Sequence, residues 1–133
     1  MPLNIVALIN AYASFNRAIE RTKKEPTDLE VRDACIQRFE YTFELGVKTI
    51  KRYLEMEMPI YENIDQMNYR DLLRVALEIG LIHHIEDWFL FREARNQTSH
   101  AYDQIKAQAV FEVTLKFHHS AQFSINQLKQ RLS

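Results

Sequence analysis

The chain has 133 residues, 47% of them apolar and 26% charged, with a formal net charge of −1. That length suits one domain able to bury roughly two-thirds of its unfolded surface, and the apolar share excludes a disordered chain. The balanced charge excludes a broadly basic, histone-like protein, so any contact with nucleic acid has to rest on a local patch.

Two glycines and three prolines leave few turns and long uninterrupted elements, which an all-helical fold tolerates best. The single cysteine, Cys35, excludes an internal disulfide and a multi-cysteine zinc site, and one thiol fits a reducing cytoplasm. No basic segment leads into a long apolar run at the N-terminus, so no signal peptide is expected. The apolar runs are too short for a membrane span. The expectation is a single cytoplasmic domain over residues 1–133.

Residues from about 3 to 24 read as the first helix. Ile5, Leu8, Ile9, Tyr12, Phe15 and Ile19 recur at spacings of three and four and make one apolar stripe. Arg17, Arg21, Lys23 and Lys24 gather toward its C-terminal end, where cations suit the helix dipole, and Pro26 breaks the pattern. Thr27 and Glu30 have the spacing of a capping box and start a second helix that runs to about Met56. Its stripe is Cys35, Ile36, Phe39, Phe43, Val47, Ile50 and Leu54. Gly46 falls inside this helix, where it costs about 1 kcal/mol relative to alanine; a close helix crossing is the expected reason.

Met56 to Asn68 contains Pro59 and lacks periodicity, so it reads as a loop. Asn68 caps a short third helix from Tyr69 to Ile79, and Gly80 fits its stop. The fourth helix runs from about Ile85 to about Gln97, with Trp88, Phe89 and Phe91 in or near the core. Asp103 caps a last helix from Gln104 to about Leu132, whose expected buried seam is Ile105, Ala109, Val113, Phe117, Ala121, Leu128 and Leu132. Five helices with short connections predict an all-α, antiparallel up-and-down bundle.

Several chemistries are excluded by residue count and spacing. With Gly46 and Gly80 the only glycines there is no glycine-rich phosphate loop, and the Glu-x-x-His motif of di-iron bundles is missing. His83/His84 and His118/His119 are adjacent pairs whose members point to different faces of a helix, and they read as surface or boundary residues. No metal and no cofactor is expected. Cys35 lies on the apolar stripe and reads as a buried structural thiol. Lys48, Lys51 and Arg52 form a basic strip at helical spacing, read either as a solvated face or as a phosphate-binding one.

The densest chemistry lies in FLFREARNQTSHAYD, Phe89 to Asp103. Arg95 is permanently charged and can grip a phosphate in bidentate fashion. His100 exchanges a proton near neutral pH. Tyr102 adds a phenol, and Asn96, Gln97, Thr98 and Ser99 are all polar. On one continuous helix His100 would lie roughly 140° around from Arg95 and about 7.5 Å along, so the two do not meet easily. Either the helix ends near Gln97 and the chain turns, or a second copy of the chain completes the site. Thr98, Ser99 and the cap at Asp103 favour a break. An arginine and a histidine suffice for RNA cleavage without a metal, with general acid–base help worth typically about 10²–10⁴-fold and charge stabilisation adding more. By residue type alone the segment also reads as polar residues at a helix end.

Arg95-Asn96-Gln97-Thr98-Ser99-His100 resembles the RNxxxH signature of the HEPN superfamily. The longer form, Arg, four residues, His-x-Tyr, resembles the subgroup paired with minimal nucleotidyltransferases, the "nucleotidyltransferase substrate-binding protein" family. RDACIQRFEYTFELGVKTIKRYL (Arg32 to Leu54), ALEIGLI (Ala76 to Ile82) and Trp88 ahead of RNQTSHAYD agree with it, so the resemblance spans nearly the whole chain. It implies a helical bundle that forms a homodimer, with the motif segments of two protomers facing one composite cleft. It further implies a ribonuclease toxin with Arg95 and His100 as catalytic residues and Asn96 in support. A cognate nucleotidyltransferase antitoxin would silence it by transferring AMP to Tyr102. The alternative is a non-catalytic subunit that holds a nucleotide or substrate for a partner nucleotidyltransferase, and a purely structural helical adaptor is a third reading.

Overall fold

A computed structural model describes residues 3–57 and 64–133 of the chain. Five helices form it: α1 (Val6–Lys24), α2 (Leu29–Glu57), α3 (Tyr69–Glu78), α4 (Ile85–Gln97) and α5 (Gln104–Leu132). Single 3₁₀ turns stand at Ile64–Gln66 and Thr98–His100, and there is no strand among the described residues. The all-α expectation holds. Pro59 and the rest of 58–63 in the expected loop lie outside the described residues.

The side-chain register fixes the helix directions. Leu8 of α1 faces Gly46 of α2, while Ser14 accepts hydrogen bonds from Tyr41 Oη at 2.8 Å and Arg38 Nη1 at 3.4 Å. As one residue number rises the other falls, so α1 and α2 are antiparallel. The same holds for α4 and α5, where Asp87 pairs with Lys116 at 3.8 Å and Gln97 faces Lys106. The bundle is up-and-down, with the short α3 set against α4.

Phe117 of α5 is the centre of the core. Its ring centroid lies 5.7 Å from Phe15, 5.2 Å from Phe39, 5.9 Å from Phe43, 6.0 Å from Trp88 and 5.2 Å from Phe91. These rings come from α1, α2 and α4, and most meet Phe117 tilted or edge-on, as aromatic quadrupoles prefer. Every residue of the expected α1 and α2 stripes is buried or half-buried, so the period of 3.6 placed both faces correctly.

The helix ends show how local chemistry sets element lengths. Asn68 Oδ1 accepts from the Asp71 N–H at 2.8 Å and starts α3. Gly80, at φ 83°, ends it: the Leu81 N–H bonds Ala76 O at 2.9 Å and the Gly80 N–H bonds Leu77 O at 3.1 Å, the paired bonds of a Schellman motif. The start of α2 differs from expectation. Asp28, not Thr27, is the cap, its Oδ1 accepting from Glu30 N at 2.9 Å and Val31 N at 3.2 Å.

Two further expectations are corrected. The seam of α5 is rotated over its first half: Ala107, Val110, Thr114 and Phe117 are buried, whereas Ile105 is 84% exposed and Ala109 is exposed as well. Two apolar stripes run along this part of the helix. The buried one contains Thr114, whose hydroxyl is satisfied by its own helix (2.6 Å to Phe111 O) and lies 3.5 Å from Cys35 Sγ. Gly46, for its part, does not mark a crossing that demands glycine. A Cβ built there would meet Leu8 Cδ1 at 3.9 Å, an ordinary van der Waals contact, beside a small apolar void between Thr42 and Ile50.

Burial also shifts proton affinities. Desolvation pushes the Cys35 thiol up to about 11, with Thr114 and Arg38 pulling less strongly the other way. His118 is lowered, first by burial and then by His119 and Lys23, with Glu20 opposing. Its imidazole stacks on Tyr12 at 5.5 Å, and its Nε2 lies 2.6 Å from Asn16 Oδ1, so it clasps α1 to α5 in the neutral form.

Gly46→Ala is expected to stabilise the bundle by up to about 1 kcal/mol through helix propensity and lost unfolded-state entropy, read as a raised thermal midpoint; an unchanged or lower midpoint would show that the backbone there needs glycine. Because His118 has a lower pKa folded than unfolded, its stabilising contribution is present above the ordinary histidine value of about 6.5 and is lost as pH falls through its own lower value. Denaturant midpoints should therefore fall on acidification below about pH 6.5, and the fall should be shallower in His118→Asn.

Candidate functional site

α4 carries its core face as Trp88, Phe91 and Ala94, all buried. Arg95 stands one turn beyond Phe91, on the side of the helix that looks at α2. Its Nε donates to Glu44 Oε1 at 2.6 Å, its Nη2 also bonds Glu44, and Glu40 lies 3.8 Å away. Glu40 and Glu44 are four residues apart on α2 and share one face. The Arg95 side chain is about one-third exposed (32%), so two carboxylates aim it without enclosing it.

The helix then stops where the polar run begins. The Thr98 side chain is buried and its Oγ1 donates at 2.8 Å to Arg95 O, the same carbonyl that the Thr98 N–H reaches as the helix ends. The backbone tightens into the 3₁₀ turn, with Ala101 N bonding Thr98 O at 3.3 Å and Asp103 N bonding His100 O at 3.0 Å. Asp103 restarts the chain: its Oδ1 accepts from Ile105 N at 3.0 Å and Lys106 N at 3.2 Å. The buried Arg32 of α2 reaches across to Gln104 Oε1 at 2.7 Å and pins the first turn of α5 to the start of α2.

This break separates the expected site residues. Arg95 turns toward α2. His100, half-buried, turns toward Tyr102, with ring centroids 6.2 Å apart and the planes near perpendicular. Among the described residues no hydrogen bond joins Arg95 to His100. Asn96 is exposed and lines a groove with Arg95, and Tyr102 is 80% exposed. One copy of the chain thus carries all four side chains at the α4–α5 corner without closing them into a pocket.

Two surfaces flank the corner. Between α4 and α5 lies an open, mostly apolar groove of about 380 Å³ whose apolar lining is Leu90, Ala94, Ala109, Val110 and Val113, with Glu93, Gln97 and Lys106 beside them. Leu90 is 37% exposed, and the exposed Ile105 lies one helical turn before Ala109 on the same face of α5. On the other side, between α2 and α4, a groove of about 440 Å³ runs from Lys51 past Lys48 and Arg92 to Arg95 and Asn96, over Phe43, Val47 and Tyr69. No group of three or more His, Cys, Asp or Glu side chains arranged to hold a metal ion occurs among the described residues. None of the described helices is long and apolar enough to cross a membrane.

Sequence reasoning found the motif and its break but missed Glu40, Glu44 and Arg92. The two glutamates sit at i, i+4 beside the apolar stripe, a spacing shared by ordinary solvated helix faces. Only the packing of α2 against α4 shows that they meet an arginine.

Residues 3–130 match the family described as "nucleotidyltransferase substrate binding protein like". Over 97 residues the chain is 41% identical to a Haemophilus influenzae protein named probable ribonuclease HepT. That match covers 73% of this chain and 66% of the relative, just under two-thirds of the relative's length. A solved Haemophilus influenzae structure, described as the fold of a substrate-binding domain of a nucleotidyltransferase, superimposes with a TM-score of 0.88 at 30% identity, over 95% of this chain and 99% of that one. A Thermus thermophilus structure matches with a TM-score of 0.64 at 28% identity, over 86% of this chain and 98% of that one. The match over nearly all of the chain, the identity and the shared fold agree with the resemblance carried by Arg95, His100 and Tyr102, and the chain belongs to the nucleotidyltransferase substrate-binding protein-like family of HEPN helical bundles.

Proposed function

We propose that this chain is a HEPN-type toxin: a metal-independent endoribonuclease whose Arg95 and His100 act in a composite cleft between two copies of the chain. The observation that carries this reading is the α4–α5 corner. It carries Arg95, Asn96, His100 and Tyr102 within eight positions, with Arg95 on Glu44 and His100 against Tyr102, beside an exposed apolar face. Ile105 at 84% exposure, Leu90 and the adjoining groove form a surface that a second copy would cover. A two-fold arrangement about this face would bring the two motif segments toward each other. The name of the 41% identical relative supports the activity.

The chemistry follows from the side chains. His100 takes the proton of a ribose 2′-hydroxyl, the oxygen attacks the adjacent phosphorus, and the 5′-oxygen leaves with a proton from the second copy's imidazolium. The products are a cyclic phosphate and a free 5′-hydroxyl. Arg95, aimed by Glu44, offsets charge growing on the phosphorane. Asn96 holds the segment or the phosphate.

Tyr102 is the regulatory point in this reading. Its exposed phenol is accessible to a partner nucleotidyltransferase acting as antitoxin. The phenolic oxygen attacks the α-phosphate of ATP, pyrophosphate leaves, the phenol loses its proton, and AMP remains on Tyr102. The added anion would crowd the cleft and compete for Arg95. A second reading draws on the description of the solved relative and on the carboxylates that already occupy Arg95: a non-catalytic subunit that holds a nucleotide or substrate for a nucleotidyltransferase.

Purified protein is expected to cut single-stranded RNA to cyclic-phosphate ends, and His100→Ala to lose at least about 10²-fold in rate with an unchanged melting curve. Equal cleavage by the variant would remove His100 from the chemistry, whereas no cleavage by the parent together with tight nucleotide binding favours the second reading. Ile105→Asp should convert a dimer to a monomer in sedimentation and lose cleavage along with it; a monomeric variant that cleaves at the parent rate would sink the composite cleft.

A further inference from the structure

The groove between α2 and α4 has a charge pattern that the corner chemistry does not use. Glu44, Lys48 and Lys51 lie at i, i+4 and i+7 on α2 and so share one face, as do Arg92, Arg95 and Asn96 on α4. The groove between these faces is open along about two turns of helix, roughly 10 Å at 1.5 Å per residue. At one end Glu44 neutralises Arg95. Farther along, the cations have no carboxylate partner among the described residues. Lys48 is exposed, Lys51 Nζ donates to the backbone oxygen of Asp65 at 3.2 Å, and the Arg92 guanidinium rests 4.8 Å from the centroid of the Tyr69 ring. Tyr69 is held in turn by its hydroxyl, which donates to Trp88 O at 2.7 Å. On a chain of net charge −1, a row of cations with no carboxylate partner among the described residues, over an apolar and aromatic floor, is a concentrated exception.

We infer that Lys48, Lys51 and Arg92 form a track for the phosphates of a single RNA strand, leading its backbone to Arg95 and Asn96. The inference deepens the ribonuclease reading and rests on it. Spaced cations in an open trough suit a polyanionic strand better than one compact phosphate. A positive groove with aromatic side chains is how single strands are held without base readout. Arg92, braced on Tyr69, has its planar fork prepared for a phosphate. Asn96, at the exit, offers both donor and acceptor to a nucleotide entering the site.

The test is the salt dependence of binding. In a His100→Ala background, which prevents turnover, affinity for a labelled oligouridine is measured across a sodium chloride series. For single strands each phosphate contact contributes about −0.7 to the slope of log K against log salt. Lys48→Gln with Lys51→Gln should therefore make the slope shallower by about 1.4, with weaker binding at low salt. Lys48→Arg with Lys51→Arg should keep the parent slope, which separates lost charge from lost folding. Lys23→Gln with Lys24→Gln, at the far basic end of α1, should leave it unchanged. A parent slope in the Gln pair overturns the track, and so does an absence of RNA binding in the background protein. A Gln pair that keeps RNA binding but loses a complex with a nucleotidyltransferase also overturns it and assigns the groove to protein docking. Cleavage by the unaltered chain, assayed in parallel, shows whether the ribonuclease reading stands when the track does not.

Discussion

The packing of five aromatic rings around Phe117 sets the phase of every helix that reaches the motif. Phe39 and Phe43 fix which face α2 turns inward, and Trp88 and Phe91 do the same for α4. Interiors pack at crystal-like density, so rotating either helix about its axis would open voids or force overlaps in this cluster. With both phases locked, Glu40 and Glu44 on one helix and Arg95 on the other fall opposite each other at the rim of the core. The ion pair is a consequence of that aromatic packing more than a cause of stability: a partly exposed pair is worth about 0–1 kcal/mol. Its value lies in direction, since it holds a long, flexible side chain without enclosing it.

The corner between α4 and α5 answers a problem of helical phase. On a continuous helix Arg95 and His100 would point far apart, and Tyr102 would return to the side of Arg95. The 3₁₀ turn and the Asp103 cap reset the phase, so that Arg95 stays with Glu44 on the α2 side while His100 turns to Tyr102. Thr98 and Arg32 hold this reset from below through hydrogen bonds to Arg95 O and Gln104. The corner is therefore built from satisfied polar groups on a rigid base, which is what a site needs if its side chains are to keep a fixed aim.

Most of the fold was legible because its signals are local and periodic. The stripes of α1 and α2, the Asn68 and Asp103 caps and the stop at Gly80 follow from residue chemistry that acts over a few positions. What was not legible depended on choices between equivalent patterns. Thr27 and Asp28 both qualify as caps, and it is Asp28 whose Oδ1 accepts from Glu30 N and Val31 N at the helix start. Along α5 the series beginning at Ile105 is as regular as the one beginning at Ala107, both lead to Phe117, and only the tertiary packing selects Ala107, Val110 and Thr114 for burial. The motif gave the identity of the candidate site residues. The partners of Arg95 lie on another helix more than fifty positions away, and no local pattern announces them.

Cys35 has a consequence of its own. It is the chain's single thiol, fully enclosed between α2 and α5, and its ionisation is pushed well above the physiological range. Reagents attack the thiolate form, so an alkylating probe finds nothing to modify until the two helices part. The rate at which that sulfur becomes labelled is then a clock for the opening of the bundle, built into the molecule and needing no added reporter group.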